Sequence, residues 1–158
     1  MEVSNFNEKI RDLKTICIDS SILIYHSILI YHLDFIKPYN ILTKILIEKI
    51  AKGEVFCNIS ALTITELLAK PYKLKDYNKV SMFENFINSL PNSRIQSVDH
   101  SIAKYAASIR GEYNLRTTDS ILLSTALFTK SSAFITNDIT LKRIDIKDLE
   151  IIVLDEHV

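Results

Sequence analysis

Short apolar runs typical of buried strands alternate along the chain with longer segments of helical periodicity. The runs are TICI at 15–18, EVFCNI at 54–59, RIQSV at 94–98, SAFIT at 132–136 and LEIIVL at 149–154. Between them, apolar residues recur at helical spacing over 38–52, 61–70, 75–90, 101–113 and 119–130. This alternation predicts an α/β protein in which helices cover both faces of a parallel sheet.

Length and composition narrow the class of protein. The 158 residues suit one core, and without a Gly/Ser/Pro-rich linker we expect a single domain over 1–158. The 19 basic and 19 acidic residues balance, so bulk charge identifies no partner. With only Gly53 and Gly111, the chain cannot form a phosphate-binding P-loop or a dinucleotide fingerprint, each of which needs several neighbouring glycines.

The cysteines and the apolar N-terminal third have simple explanations. Cys17 and Cys57 lie in predicted neighbouring strands, so we expect buried free thiols in a reducing compartment. The first 14 residues carry charges of both signs and lack the apolar core of a signal peptide. Charged residues interrupt the apolar stretch at 16–36, which argues against a membrane span. We therefore expect a cytoplasmic protein.

Acidic residues follow the ends of predicted strands. Asp19 follows the first strand, and Glu66 lies about one and a half turns into the helix after the second. Asp119 lies in the first turn of the last long helix, and Asp138 follows the fourth strand. Because the functional crevice of an open parallel sheet lies at the carboxyl ends of its strands, we expect the four carboxylates to converge on one rim.

Each of these acids, taken alone, has an ordinary structural explanation in a turn, a cap or a helix dipole. Four together are harder to explain, because carboxylates a few ångströms apart repel unless cations hold them. Mg²⁺ or Mn²⁺ suits such a cluster, since hard cations prefer oxygen ligands. A site of this kind can ionise a bound water and stabilise an in-line phosphoryl displacement, so the pattern indicates phosphodiester hydrolysis.

The motifs that contain these acids resemble those of PIN-domain ribonucleases. IDSSILIY contains Asp19, SALTITELL contains Glu66, TTDSILLSTAL contains Asp119 and FITND contains Asp138. Within that family the resemblance is greatest to the toxins of VapBC toxin–antitoxin pairs. It implies a three-layer α/β/α sandwich with a central parallel sheet. It also implies an endoribonuclease that needs Mg²⁺ or Mn²⁺, frequent homodimerisation, and an antitoxin that blocks the acidic site.

The resemblance assigns the four acids as catalytic residues and metal ligands, and it assigns Ser21 and Thr136 as hydroxyls that support them. Two departures from the family pattern stand out. After Asp138, the segment ITLK at 139–142 lacks the further acid or histidine that usually follows. After Asp119, the sequence runs through serines and a threonine, where the family commonly has alanines.

Basic residues near the expected rim are candidates for RNA contacts, because phosphate contacts supply much of the affinity for nucleic acid. Arg116 is the first choice, and Lys73 and Lys75 are further candidates; for each one alone, a solvated helix face is at least as good an explanation. Tyr72 and Tyr77 lie among these lysines and are candidates for stacking on unpaired bases.

The hexapeptide SILIYH stands twice in succession, at 21–26 and 27–32. Six residues turn a helix through about 600°, so a tandem insertion does not preserve helical phase. The added apolar residues suit either a dimer or antitoxin interface or extra core, and an exposed patch favours the interface. His26 and His32 are spaced wrongly for two ligands on one helical face, and His157 lies in a tail that we expect to be loosely held.

Two alternatives to the nuclease remain open. One is a catalytically inactive PIN-like scaffold that binds proteins, although all four acids are present. The other is a phosphatase of the haloacid-dehalogenase type, which also places an Asp after its first strand. That phosphatase needs a second Asp at the position of Ser21, so we rank it far lower.

Overall fold

A computed structural model describes residues 2–24 and 39–157, which form a five-stranded sheet flanked by helices. The strands run in the order β3-β2-β1-β4-β5, and every neighbouring pair is parallel. The strands are β1 Thr15–Ile18, β2 Phe56–Ser60, β3 Ser93–Gln96, β4 Ala133–Thr136 and β5 Glu150–Val153. The predicted parallel sheet is confirmed, with strand ends that differ by up to two residues.

The helices occupy the segments in which helical spacing was found, with one addition. They are α1 Glu2–Arg11, α2 Tyr39–Ala51, α3 Ala61–Lys73, α4 Tyr77–Ser89, α5 His100–Tyr113 and α6 Thr117–Phe128. Residues 20–24 are also helical, and short 3₁₀ turns span Ile139–Arg143 and Leu154–His157. The sequence pattern did not predict α1, whose Phe6 and Ile10 join the core.

Apolar clusters on both sides of the sheet confirm the three-layer sandwich. Ile16 and Ile18 of β1 pack with α1 and α2, whereas Cys17 between them packs on the opposite face with α5 and α6. This alternation follows from the pleat, which turns successive side chains to opposite faces. Strands buried on both faces read as continuous apolar runs, which explains the TICI and AFIT segments.

Two predictions about local structure were wrong. The helix expected to end at Lys70 continues to Lys73 through Pro71, which is buried and costs the last turn one backbone hydrogen bond. The C-terminal tail is packed and not loose, because His157 is buried with its ring centroid 5.3 Å from that of Phe6.

The predicted burial of both cysteines as free thiols is confirmed. Cys57 pairs with Ile16 across β1 and β2, and both Cys17 and Cys57 are buried free thiols. The second SILIYH copy and the end of the first, with His26 and His32, lie outside the described residues, so the proposed extra interface stays a prediction. Within the described part of the chain, no helix is long and apolar enough to cross a membrane.

Candidate active site

Asp19 lies at the carboxyl end of the central strand and is held by its neighbours. Its backbone N–H donates to the carbonyl of Ile135 in β4 at 2.9 Å. Its carboxylate accepts hydrogen bonds from three hydroxyls: Ser20 at 3.2 Å, Ser21 at 3.0 Å and Thr136 at 2.8 Å. Hydrogen bonds to a charged acceptor are the stronger kind, so this carboxylate has a fixed orientation.

Thr136 connects Asp19 with Asp138 across the sheet edge. Its Oγ1 donates to Asp19 Oδ2 and accepts the backbone N–H of Asp138 at 3.0 Å. Ser21 adds a parallel link, since its Oγ also accepts the N–H of Asn137 at 3.3 Å. The two hydroxyls predicted to support the acids therefore contact Asp19 and the backbone of the 137–138 segment.

Asp138 serves both the site and the local backbone. Its Oδ1 accepts the N–H of Thr140 at 2.9 Å and the Thr140 hydroxyl at 2.7 Å, which starts the 3₁₀ turn at 139–143. Its Oδ2 accepts from Arg116 Nη2 at 3.0 Å. The capping role considered from sequence is thus present, and the second oxygen binds the guanidinium that also binds Asp119.

Asp119 lies in the first turn of α6 as predicted and is 8% exposed. Arg116 donates two hydrogen bonds to the Asp119 carboxylate, from Nε to Oδ2 at 2.7 Å and from Nη2 to Oδ1 at 3.2 Å. The Arg116 side chain is itself 72% exposed, and hydrogen bonding to Asp119 raises the pKa of its guanidinium. Arg116 therefore joins Asp119 to Asp138.

Glu66 completes the group from α3, a helix that begins at the Ser60 cap, where Ser60 Oγ accepts the N–H of Leu62. Burial raises the pKa of Glu66, and the nearby charges of Asp19 and Asp119 raise it further, against a Ser20 hydrogen bond that lowers it. Its Oε2 is buried without a hydrogen-bond partner. A buried carboxylate oxygen with no partner is costly unless a ligand satisfies it.

The residues fit a divalent cation by donor chemistry, although their side chains do not form a metal-binding group as they stand. Among residues 2–24 and 39–157, no three His, Cys, Asp or Glu side chains are grouped closely enough to hold an ion. The Arg116 guanidinium hydrogen-bonds to both Asp119 and Asp138. The donor set is all oxygen, and the orphaned Glu66 Oε2 offers a site for an additional ligand.

The other predicted RNA contacts lie at the end of α3 and just beyond it. Lys73 is in its last turn, seven residues after Glu66, and Lys75 follows it with a φ of 56°. Seven residues advance a helix by about 10 Å, so these lysines do not touch the acids as Arg116 does. Sequence reasoning missed Ser20 and Thr140 as partners of the acids; the serine pair directly after Asp19 was the available signal for Ser20.

Comparison with known proteins places the chain in a family. The PIN domain family model matches residues 16–147, which is most of the chain, and the chain belongs to this family. The family predicted from the four motifs is confirmed. No match to the sequence is found among curated proteins.

Several solved structures share this fold at low sequence identity. VapBC2 from Rickettsia felis, bound to a promoter DNA fragment, aligns with a TM-score of 0.63 at 18% identity, covering 88% of this chain and 98% of that chain. A DNA-bound VapBC from Salmonella typhimurium aligns with a TM-score of 0.63 at 18% identity, covering 89% of this chain and 98% of that chain. A toxin–antitoxin complex from Klebsiella pneumoniae aligns with a TM-score of 0.59 at 21% identity, covering 85% of this chain and 94% of that chain.

Proposed function

We propose that this PIN-domain protein is a Mg²⁺- or Mn²⁺-dependent endoribonuclease and the toxin of a toxin–antitoxin pair. The observation that carries the proposal is the linked set of four acids at the carboxyl edge of the sheet. Thr136 joins Asp19 to Asp138, Arg116 joins Asp138 to Asp119, and Glu66 shares their electrostatic surroundings. A structural role alone would not require this many carboxylates on one rim.

The proposed metal ligands are the carboxylates of Asp19, Glu66, Asp119 and Asp138. A bound Mg²⁺ or Mn²⁺ would lower the pKa of a water molecule and offset charge on the phosphate undergoing displacement. Ser20, Ser21 and Thr136 hold the Asp19 carboxylate in one orientation through three hydrogen bonds. This preorganisation reduces the cost of assembling the site when substrate binds.

RNA is the proposed substrate, and a basic aromatic surface at the α3–α4 turn supports it. Tyr72 and Tyr77 are 52% and 62% exposed, and their rings meet edge to face with centroids 6.5 Å apart. Glu66, Lys70 and Lys73 follow one another at i, i+4 and i+7 on α3, so they share a face. The lysines offer phosphate contacts on a path from the acids toward the tyrosines, which can stack on unpaired bases.

An antitoxin is the proposed protein partner. Three solved structures with this fold are toxin–antitoxin or VapBC complexes, although their identity to this chain is 21% or lower. We further propose a homodimer that acts in the cytoplasm. Size measurement of the purified chain tests the homodimer. The same measurement with the product of a neighbouring gene added tests the antitoxin.

Of the two alternatives, only the inactive scaffold still competes. The phosphatase is set aside because the chain belongs to the PIN family, and Ser21 supplies a hydroxyl to Asp19 where that enzyme needs a second carboxylate. The observation that favours a scaffold is the guanidinium on Asp119 and Asp138, which neutralises acids that a nuclease would need.

Cleavage of RNA separates the two functions. Purified protein is incubated with total cellular RNA and Mg²⁺ or Mn²⁺, in parallel with EDTA. Asp19→Asn and Asp119→Asn should each reduce cleavage at least about 100-fold, because each removes a proposed metal ligand. Asp12→Asn, at an exposed acid after α1, is the matched control and should cleave normally. Cleavage that survives EDTA or either site variant would contradict the proposal, and absence of cleavage would favour the scaffold.

A further inference from the structure

The Arg116 side chain is held by two carboxylates, Asp119 in the first turn of α6 and Asp138 after β4. It occupies the N-cap position of α6, yet its side chain makes no capping hydrogen bond. A positive charge at a helix N-terminus also opposes the helix dipole. The contacts that fix the guanidinium are two hydrogen bonds to Asp119 and one to Asp138. Its location is therefore explained by the carboxylates.

The guanidinium lies where a cation is needed. Asp19 and Glu66 are near enough to interact with Arg116 through their charges. The charge of Asp19 helps to raise the pKa of Arg116, and the charge of Arg116 lowers the pKa of Glu66. Without a cation, these carboxylates would repel one another. In the metal-free protein, one guanidinium supplies part of the positive charge that the rim requires.

We propose that Arg116 holds Asp119 and Asp138 in the metal-free protein and exchanges these carboxylates for RNA phosphate when a divalent cation binds. This inference rests on the proposed function. It assigns to Arg116 two successive partners of the same chemistry, since carboxylate and phosphate oxygens both match the planar guanidinium fork.

The geometry permits the exchange. Arg116 uses both oxygens of Asp119 and one of Asp138, and although each oxygen keeps a further lone pair, a divalent cation there would face the guanidinium charge at short range. The side chain is 72% exposed, so it can swing away without disturbing the core. The freed guanidinium remains tethered at the rim, where a phosphate bound at the metal would lie within its reach.

The exchange predicts opposite effects on metal binding and on RNA. Removing Arg116 removes a competitor for the carboxylates, so the metal should bind more tightly. It also removes a phosphate contact, so RNA should bind less tightly and be cut more slowly. A residue that only stabilised the fold, or only bound RNA, would not tighten metal binding.

Mn²⁺ affinity, measured by electron paramagnetic resonance without RNA, is the first test. Arg116→Gln should bind Mn²⁺ about tenfold more tightly than the wild type, the effect of one charge-assisted interaction of ~1.4 kcal/mol. Arg143→Gln is the matched control, because Arg143 is exposed and donates to the carbonyl of Tyr113 instead of to one of the four acids. It removes the same charge and should change the affinity less than twofold. Equal or weaker binding by Arg116→Gln would overturn the exchange.

Two further measurements keep the inference testable if Arg116→Gln folds poorly. Arg116→Lys keeps the charge without the fork and should fall between the wild type and Arg116→Gln in affinity. In the folded wild type, Mg²⁺ should shift the ¹H–¹⁵N signal of Arg116 Nε, which donates to Asp119 without metal. A signal that stays in place while the amides of residues 19 and 138 move would also overturn the exchange.

The outcomes separate this inference from the proposed function. If Arg116→Gln binds Mn²⁺ more tightly but no RNA is cut by the wild type, the exchange on the acids stands and the ribonuclease proposal fails. If RNA is cut with Mg²⁺ but Arg116→Gln gains no affinity for Mn²⁺, the ribonuclease proposal stands and the exchange fails. If neither protein binds Mn²⁺, both are wrong.

Discussion

Replacing Thr136 by valine tests the link between Asp19 and Asp138. The side chains have similar shape, and Thr136 is fully buried, so the change removes a hydroxyl with little change in packing. The variant loses the hydrogen bond to the charged Asp19 Oδ2 at 2.8 Å and leaves the N–H of Asp138 without its partner at 3.0 Å.

The structure sets the expected size of the effect. A hydrogen bond to a charged group contributes about 1.5–3 kcal/mol, and an unsatisfied buried donor costs about 1–3 kcal/mol. Burying a methyl in place of a hydroxyl offsets part of this loss, so we expect a net loss of about 2–4 kcal/mol. With a urea slope of about 2 kcal/mol per molar, the unfolding midpoint should fall by about 1–2 M.

Urea unfolding monitored by circular dichroism measures this effect, with Thr125→Val as the matched control. Thr125 is equally buried, but its hydroxyl donates to the backbone carbonyl of Ile121, and Ser60 is its other, neutral partner. The control should lose only about 1 kcal/mol, the usual value for a neutral hydrogen bond. If Thr136→Val lost no more than Thr125→Val, the charged link between β1 and β4 would not stabilise the protein as argued.

Three further predictions concern other parts of the molecule. Burial raises the pKa of Cys17 to about 12 and that of Cys57 well above its ordinary value, so iodoacetamide at pH 8 should label both thiols only after unfolding, and labelling of the native protein would contradict this. Burial and the charge of Lys9 lower the pKa of His157, so the folded state binds fewer protons than the unfolded chain, and stability should fall as pH drops below about 6.5. His157→Leu should reduce this fall in urea titrations at pH 7.5 and 5.5, whereas His100→Gln, at the exposed start of α5, should not. Tyr72→Ala and Tyr77→Ala should each weaken binding of a single-stranded oligoribonucleotide about 5- to 10-fold in EDTA, and Tyr105→Ala, an exposed tyrosine on α5, should not; equal losses in all three would refute the stacking surface.

The fold was predictable because its central strands, β1 and β4, are buried on both faces. The TICI and AFIT runs have no polar side to confuse with a helix, and the segments between them are long enough for crossover helices. Helix α1 was missed because its charged face dominates a short segment, and α3 was cut short at Pro71 because a proline usually ends a helix. Tertiary packing decides both, since Phe6 and Pro71 are buried.

The four acids were found because each lies in a short local motif after a strand or in a helix, and parallel topology brings those positions together. The partners of the acids were harder to predict. Arg116 contacts Asp138, which lies 22 residues away, and that contact depends on the angle between α6 and β4. No local sequence pattern encodes such a contact. Arg116 could therefore be placed near the rim from the sequence but not assigned to two carboxylates.

The most direct test of the four-acid account is the number of Mn²⁺ ions bound per chain, counted by electron paramagnetic resonance in the wild type and in Asp19→Asn/Asp119→Asn. Carboxylates at the carboxyl edge of the sheet supply the proposed ligands, so the wild type should bind at least one ion per chain and the double variant should lose it. Binding that is equal in the two proteins, or absent from the wild type at millimolar Mn²⁺, would contradict the account.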